Sequence, residues 1–323
     1  MPRPRKRELP VLEPNLQVSF YHKLQTIRGR HLREALQQAL GDLPLELLDA
    51  ELRDLAPETA LRKLATQGLR GEVFFPVPCL LKVGPNLLGY YRLLYGLSQK
   101  EFYSSKTFGR FKRLEAEGQL GSVRPEEVQA LCRSLVRTAV KLVQVIDELT
   151  VATVNELQLL TLGAQLRGSE NTRVGKRATK EVFDIIRQLV GPYLLEETAR
   201  TLVLRNDAGR SVLVEFAADP DICITEKLPS GVRNLVSVEI KGGTDVSNVH
   251  NRLGEAEKSH QKARARGYHE FWTIVRAPVS AEVAGKETPT TSHLFRLDDL
   301  VRPRSKERSQ FRHTLASILS IRI

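Results

Sequence analysis

Two short segments in the second half of the chain constrain its fold more than any other feature. They are DICIT, residues 221–225, and LVSVEIK, residues 235–241, and the residues between them include Pro229, Ser230 and Gly231. The side chains of a strand alternate between its two faces, and proline, serine and glycine together favour a turn. The sequence therefore predicts two antiparallel strands joined by a hairpin, each with one apolar face.

The alternation places charged side chains on the polar face of this predicted hairpin. Glu239 and Lys241 project together from the second strand, opposite a face of valine and isoleucine. In the first strand Asp221 lies on the face opposite Ile222 and Ile224. Antiparallel pairing would bring Asp221 close to Glu239, so the sequence predicts a cluster of two carboxylates and one amine.

Such a cluster is suited to the hydrolysis of phosphodiesters. Mg²⁺ prefers oxygen ligands and keeps several of its waters, so Asp221 and Glu239 are its candidate ligands. A bound ion would make a coordinated water more acidic and stabilise negative charge. Lys241 could orient the attacking water, share the charge of the phosphate or, with a lowered pKa, act as a base. Asp219 has the same side-chain parity as Asp221 and competes with it for the metal.

The composition favours a soluble protein with a polyanionic partner. The chain is 41% hydrophobic and 27% charged, and its formal net charge is +11. A basic surplus favours binding to nucleic acid, because bound lysine and arginine release counterions. The three cysteines are far apart and form no CxxC pair, so neither a zinc ribbon nor a disulfide framework is predicted. The chain shows neither a secretory signal nor a long apolar run, so we expect a cytoplasmic protein without a membrane span.

The sequence pattern divides the chain into three regions. Residues 1–14 are basic and predict a flexible arm. Residues 15–150 carry apolar side chains at three- and four-residue spacing, which predicts a mainly helical region for DNA clamping or dimerisation. Residues 151–323 form the predicted catalytic core. Its elements are helices over 151–168 and 175–191, four strands between 201 and 241, a helix over 248–267 and a strand over 271–275. This order is typical of an α/β fold with a mixed sheet flanked by helices.

Pro220-Asp221 and Glu239-Ile240-Lys241 resemble the two halves of the motif of the PD-(D/E)XK nuclease superfamily. The predicted order of helix, strands, helix and strand also resembles the core of that superfamily. The resemblance implies a PD-(D/E)XK nuclease-like fold. It further implies Asp221 and Glu239 as metal ligands and Lys241 as the catalytic amine.

In this superfamily a further carboxylate often comes from a helix. Glu156, before the strands, and Glu255, on the helix after them, are the two candidates, and Glu181 is a third choice. Glu255 lies fourteen positions after Lys241 (255 − 241), a spacing similar to that of some nucleases that cut sites with a CCGG core. The sequence leaves the choice between Glu156 and Glu255 open.

Three longer segments, residues 68–103, 155–172 and 239–263, resemble the XcyI-type restriction endonucleases. The resemblance implies a Mg²⁺-dependent type II enzyme that cuts a palindromic, CCCGGG-like site in double-stranded DNA and leaves 5′-phosphate and 3′-hydroxyl ends. It also implies a cognate DNA methyltransferase as a functional partner that need not be bound. A palindrome and a pair of identical subunits share two-fold symmetry, so we expect a homodimer.

The segment GGTDVSNVHNR, which follows Lys241, is rich in side chains that can read base edges. Arginine binds guanine, asparagine pairs with adenine and aspartate accepts from cytosine. Asp245, Asn248, Asn251 and Arg252 are therefore candidate DNA-binding residues. The alternative interpretation is an ordinary loop that ends in a helix N-cap.

Two other functions compete with site-specific cleavage. A junction resolvase or a repair nuclease of the same superfamily would share the motif, but such cores are often smaller, and the helical region over 15–150 suits sequence recognition better. A non-enzymatic DNA-binding module would use the basic charge and carry an incidental pair of acids.

Overall fold

The chain forms two compact units, residues 1–168 and 169–323. The structure is a computed structural model that describes residues 13–41 and 43–322. The predicted basic arm over 1–14 lies outside the described residues, apart from its last two positions.

The described part of the first unit is helical, in agreement with its apolar spacing. Its helices are α1 (Asn15–His31), α2 (Arg33–Gly41), α3 (Leu45–Leu55), α4 (Glu58–Thr66), α5 (Pro78–Val83), α6 (Leu87–Leu94), α7 (Gln99–Phe102), α8 (Lys112–Glu117) and α9 (Pro125–Val145). Short 3-10 turns occur at Gly71–Val73 and Gly109–Phe111. A longer helix, α10 (Val151–Val190), begins in this unit and ends in the second.

Helix α9 shows how the sequence specifies this architecture. Pro125 occupies the first turn, where its missing N–H is not needed. The Glu127 carboxylate accepts a hydrogen bond of 2.9 Å from the backbone amide of Arg124 and so caps the helix start. The positions that face the core are three or four residues apart, namely Val128, Leu131, Cys132, Leu135, Val136, Ala139 and Val143.

Three tyrosines support the irregular segment before α6. Tyr90, Tyr91 and Tyr95 each donate a hydroxyl hydrogen bond of 2.6–3.1 Å to a backbone carbonyl. The acceptors all lie within residues 72–74, at the short 3-10 turn over Gly71–Val73. The side chains therefore supply hydrogen-bond partners that regular secondary structure would otherwise provide.

The second unit contains a seven-stranded sheet in which the strands follow one another in chain order. The strands are β1 (Leu194–Glu197), β2 (Thr201–Arg205), β3 (Ser211–Phe216), β4 (Ile222–Leu228), β5 (Gly231–Lys241), β6 (Glu270–Val275) and β7 (His293–Arg296). Neighbouring strands are antiparallel from β1 to β5 and parallel from β5 to β7. The predicted mixed sheet is confirmed. The helices after β5 are α11 (Val249–Ala265), α12 (Ala281–Glu287), α13 (Leu297–Val301) and α14 (Lys306–Leu319).

The predicted hairpin is formed by β4 and β5. Ile222 pairs with Val238 and Ile224 with Val236 in antiparallel register, and only residues 229–230 separate the strands. All four apolar side chains are buried in the core beneath the sheet. The antiparallel pairing and the apolar face that the alternation predicts are therefore both confirmed.

The structure corrects the prediction of two helices between residues 151 and 191. They are one continuous helix, α10. The polar stretch at 168–175 interrupts the apolar periodicity but not the backbone, since a glycine inside a helix costs only about 1 kcal/mol. A break in the apolar periodicity is therefore weak evidence that a helix ends.

Within residues 13–41 and 43–322, none of the helices combines the length and the apolar character that crossing a lipid bilayer requires.

Candidate active site

The hairpin places the two motif carboxylates next to each other. The pairing of Ile222 with Val238 brings Asp221, which immediately precedes β4, opposite Glu239. Oδ2 of Asp221 accepts a hydrogen bond of 2.8 Å from the backbone amide of Ile240. Burial and the negative charge of Glu239 together raise the pKa of Asp221 to about 6. Two like charges thus share a poorly solvated site, which favours the arrival of a cation or a proton.

Lys241 places a positive charge next to the carboxylates of Asp221 and Glu239. Its Nζ donates a hydrogen bond of 2.8 Å to Oε1 of Glu239, and both side chains are largely buried. Burial alone lowers the pKa of Lys241, but the adjacent Glu239 carboxylate more than offsets it, and the net direction is upward. The lowered pKa that would make Lys241 a base is therefore not found, because its nearest neighbour is an anion.

Of the candidate helix carboxylates, Glu255 is the one that the second unit places beside Lys241. Its Oε2 lies 3.5 Å from Nζ of Lys241, and its side chain is 69% exposed. Glu181 is instead paired with Arg276 and, at 3.0 Å, with Arg177. Glu156 lies on the part of α10 that belongs to the first unit, where it is exposed. The contact with Lys241 favours Glu255 as the further carboxylate.

Asp219 faces helix α11, although its parity in sequence matches that of Asp221. Its carboxylate accepts hydrogen bonds from the Ser259 hydroxyl and, at 2.9 Å, from Nζ of Lys262. These two hydrogen bonds lower the pKa of Asp219. Its backbone carbonyl also accepts a hydrogen bond of 2.6 Å from Arg266. Lys262 thus forms an ion pair with Asp219 within the second unit.

An open cleft of about 810 Å³ adjoins the charged cluster. Lys241 and Glu255 line it, together with Lys258. Three of the four predicted DNA-reading residues line the same cleft, namely Asn248, Asn251 and Arg252. The cleft therefore combines candidate catalytic groups with side chains that can bind bases or phosphates.

The fourth predicted DNA-reading residue has a local contact. The Asp245 carboxylate accepts hydrogen bonds from the backbone amide and the hydroxyl of Ser247, at 3.0 and 2.7 Å. This closes a turn just before α11, as aspartate often does. His250 lies at the surface, 3.2 Å from a carboxylate oxygen of Glu287.

Gly242 and Gly243 follow Lys241, and each has a close neighbour where a side chain would begin. A Cβ at Gly242 would overlap Ala178 of α10, and a Cβ at Gly243 would overlap the Arg252 guanidinium. The absence of side chains lets α10 and Arg252 approach the end of β5 closely.

A buried polar layer fixes α11 to the strands beneath it. Nε2 of His260 lies 2.8 Å from Oγ1 of Thr273 on β6, and Nδ1 lies 3.5 Å from Oγ of Ser237 on β5. Burial lowers the pKa of His260 to about 4, so this imidazole is neutral near pH 7. It anchors the helix and is not positioned as a catalytic acid.

The carboxylate pair suits a hard divalent cation. In the described residues there is no group of three or more histidine, cysteine, aspartate or glutamate side chains that could hold a metal ion. Mg²⁺, however, is commonly held by only one or two protein carboxylates and retains water ligands. The oxygens of Asp221 and Glu239 meet that requirement, and a cation would relieve the repulsion that raises the pKa of Asp221.

The mixed sheet and its helices define an α/β protein. Its charged cluster of Asp221, Glu239 and Lys241 adjoins an open cleft, as the reactive groups of an enzyme often do. Comparison with known proteins identifies its family. The profile of the XcyI restriction endonuclease family matches residues 21–322. The type II restriction enzyme Cfr9I of Citrobacter freundii is 42% identical over 316 residues, which cover 96% of each chain. The type II restriction enzyme XcyI of Xanthomonas campestris pv. cyanopsidis is 41% identical over 315 residues, which cover 95% of each.

The chain therefore belongs to the XcyI restriction endonuclease family and is an enzyme of the type II restriction class. The resemblance of residues 68–103, 155–172 and 239–263 to that family is confirmed. The competing interpretation as a non-enzymatic DNA-binding module does not agree with this membership.

Sequence reasoning missed one residue of the charged cluster, Ser259. It is buried on α11, and its hydroxyl lies 3.0 Å from Oε2 of Glu239. A signal was present, because Ser259 is a polar residue on the same side of the helix as the buried Ala256 and Ala263. A buried serine on an otherwise apolar stripe needs a hydrogen-bond partner.

Proposed function

We propose that this protein is a Mg²⁺-dependent type II restriction endonuclease that hydrolyses phosphodiester bonds at a specific palindromic site in double-stranded DNA. The observation that carries the proposal is the convergence of Asp221, Glu239 and Lys241 next to an open cleft. The same residues, on a mixed sheet, support assignment of the second unit to the PD-(D/E)XK nuclease superfamily. A CCCGGG-like target follows from the family resemblance.

Each residue of the proposed site has a separate task. Asp221 and Glu239 hold Mg²⁺, which when bound makes a coordinated water more acidic and stabilises negative charge on the phosphate. Lys241, fixed by its hydrogen bond to Glu239, binds a phosphate oxygen or orients the attacking water. Its raised pKa favours these electrostatic tasks over proton abstraction. The water oxygen bonds to phosphorus and the 3′ oxygen leaves, so the ends carry a 5′-phosphate and a 3′-hydroxyl.

Glu255 is the further carboxylate of the proposed site. It reaches Lys241 from α11, whereas the motif carboxylates come from the hairpin. It is exposed and lines the cleft, and we propose that DNA enters from this side. From this position Glu255 is proposed to act on the metal, its waters or Lys241.

Arg252 is the proposed base-reading residue with the clearest structural support. Its guanidinium occupies the space left by Gly243 and lines the cleft near Lys241. We expect Arg252→Ala to lower discrimination between the target and a site with one base pair changed by about 1–3 kcal/mol. The measurement is the ratio of dissociation constants for the two duplexes without divalent metal, so that no cleavage intervenes.

Lys258→Ala is the matched comparison for Arg252→Ala. Lys258 lies on the same helix and lines the same cleft, and we propose that it contacts a phosphate, which carries no sequence information. We expect both duplexes to bind more weakly by the same factor, with the slope of log K against log salt reduced by about 0.9. Unchanged discrimination in the Arg252→Ala protein would exclude Arg252 from base recognition.

The proposed assembly is a homodimer. The two cuts in a palindrome are related by a two-fold axis, so two identical subunits can present one site to each scissile phosphate. The helical first unit is proposed to supply dimer contacts, DNA clamping or both. A cognate DNA methyltransferase is the proposed functional partner, since host DNA that contains the same site would need protection.

Digestion of long unmethylated DNA tests the proposed function directly. We expect discrete fragments with Mg²⁺, none with EDTA, and ends that map to one palindrome. Asp221→Asn protein, which has the same shape but one charge less, serves as the control for a contaminating nuclease. A smear would indicate a nonspecific nuclease, and cleavage confined to branched DNA would favour a junction resolvase. Absence of cleavage on every unmethylated substrate would contradict the proposal.

A further inference from the structure

The Ser259 hydroxyl lies between two carboxylates of the second unit. It makes a hydrogen bond with Oδ1 of Asp219 and lies 3.0 Å from Oε2 of Glu239. Ser259 is 6% exposed, so water does not readily replace either contact. Because a hydroxyl carries one proton, Ser259 either shares it between Asp219 and Glu239 or donates to one of them at a time. Its orientation is therefore coupled to both carboxylates.

Both oxygens of Glu239 are held by side chains. Oε1 accepts from Nζ of Lys241 at 2.8 Å, and Oε2 contacts Ser259. A carboxylate held at both ends cannot rotate about its terminal bond without losing one contact. A ligand held in this way binds a metal more tightly, because less orientational freedom is lost on binding.

Asp219 is itself held from two directions. Its carboxylate accepts from Lys262 at 2.9 Å, and its backbone carbonyl accepts from Arg266 at 2.6 Å. These donors lie on or immediately after α11, the helix that also carries Ser259. Asp219 therefore links α11 to the start of β4, and both of its carboxylate oxygens accept hydrogen bonds.

We propose that Ser259 is a positioning residue of the nuclease site, which orients Glu239 for metal binding, and that Asp219 acts through Ser259 and is not a metal ligand. The inference rests on the proposed function in that Glu239 holds the metal. It assigns Asp219 a task different from the competing metal role that its parity suggests. The first turn of α11 lines the cleft, and the same helix carries Ser259. Ser259 therefore connects the helix beside the cleft to the carboxylate of Glu239.

A metal titration without DNA tests the assignment of Ser259. Mn²⁺ binding to the full chain can be followed by the loss of its free electron paramagnetic resonance signal. We expect Ser259→Ala to raise the Mn²⁺ dissociation constant by about 10–100-fold, the usual effect of removing the partner of a metal ligand. Ser259→Thr, which keeps the hydroxyl, should restore tight binding. Ser317→Ala, the same change at an exposed helical serine of α14, is the matched control.

Cleavage kinetics separate positioning from general damage to the fold. Ser259→Ala should raise the Mg²⁺ concentration for half-maximal cleavage while leaving the KM for DNA unchanged. A merely structural role would instead lower the amount of active protein and leave the Mg²⁺ dependence as in the wild type. That outcome, or unchanged Mn²⁺ binding, would overturn the proposal for Ser259.

A double-variant cycle tests whether Asp219 acts through Ser259. We expect Asp219→Ala, which removes the acceptor of the Ser259 hydroxyl, to weaken Mn²⁺ binding in the wild type but to add no further loss in the Ser259→Ala protein, since coupled residues are not additive. A metal ligand would behave differently, because its removal would weaken binding equally in both backgrounds. A wild-type protein that cuts no DNA would defeat the proposed function, whereas a cutting enzyme with additive losses would defeat only this inference.

Discussion

Glu239→Gln is expected to lower the rate of DNA cleavage by on the order of 10³-fold while the chain stays folded and still binds DNA. Glutamine has the shape of glutamate but no charge, so it is a poor ligand for a hard cation. A lost metal contribution of several kcal/mol corresponds to about three powers of ten in rate. Single-turnover cleavage at saturating enzyme measures the chemical step, and the dissociation constant for DNA without metal measures binding.

The matched control is Glu282→Gln. This variant carries the same chemical change on an exposed helix face. There Glu282 forms an i,i+4 pair with Lys286 at 3.1 Å. We expect no change in its cleavage rate, because such surface pairs contribute little. A Glu239→Gln protein that cleaves at more than a tenth of the wild-type rate would contradict its assignment as a metal ligand.

The neighbours of Glu239 make the test more discriminating. Asp221→Asn and Lys241→Met should each cause a loss of similar size, and combining either with Glu239→Gln should cost little more, since a catalytic unit fails when one member fails. Glu239→Gln also removes the like charge that helps to raise the pKa of Asp221. That pKa should therefore fall below its present value of about 6, which nuclear magnetic resonance of labelled aspartate can measure.

The hairpin was predictable because strand alternation and a short turn act over few residues. Asp221 and Glu239 followed from that register, and the structure places them as neighbours. Asp219 shows the limit of the method. Its parity matches that of Asp221, but β4 begins only at Ile222, so the alternation of a strand does not apply before Pro220. Contacts from α11 decide its orientation instead.

The strands that sequence reasoning missed depend on the strands with which they pair. β1 and β7 have four residues each and little alternation, and they exist because β2 and β6 offer them free backbone groups. The place of Glu255 beside Lys241 likewise depends on how α11 packs against β5. Periodicity reports which face of an element is apolar, but not which other element covers it.

The largest loss of stability is expected from Glu115→Ala in the first unit, at about 3–5 kcal/mol. Glu115 and Arg92 form a salt bridge between side chains that are only 2% and 1% exposed. The Glu115 carboxylate accepts two hydrogen bonds of 2.8 Å from Arg92, one of 2.6 Å from Tyr103 and one of 2.9 Å from Gln99. Removing it leaves the buried guanidinium charge of Arg92 and the partly buried Tyr103 hydroxyl without this acceptor, and an uncompensated buried charge typically costs 3–5 kcal/mol.

Urea unfolding followed by circular dichroism measures this loss. Glu117→Ala is the control, two residues away. Glu117 is exposed and pairs with the exposed Arg113. Its removal should therefore change the free energy of unfolding by about 0.5 kcal/mol or less. The combined change Arg92→Met and Glu115→Leu should destabilise less than Glu115→Ala alone, since no buried charge is left without a partner. Equal losses in these two proteins would show that packing volume, and not the unpaired charge, dominates.

The same pair predicts how stability depends on pH. Burial raises the pKa of Glu115, but the hydrogen bonds from Arg92 more than offset it, and the net direction is below the ordinary value of 4.5. A carboxylate with a lowered pKa in the folded state binds fewer protons there than in the unfolded chain. Its contribution is therefore complete above about pH 4.5 and is lost as the pH falls through the lower folded-state pKa. The Glu115→Ala protein should lack this part of the acid-induced loss, so its stability curve should approach that of the wild type as the pH falls.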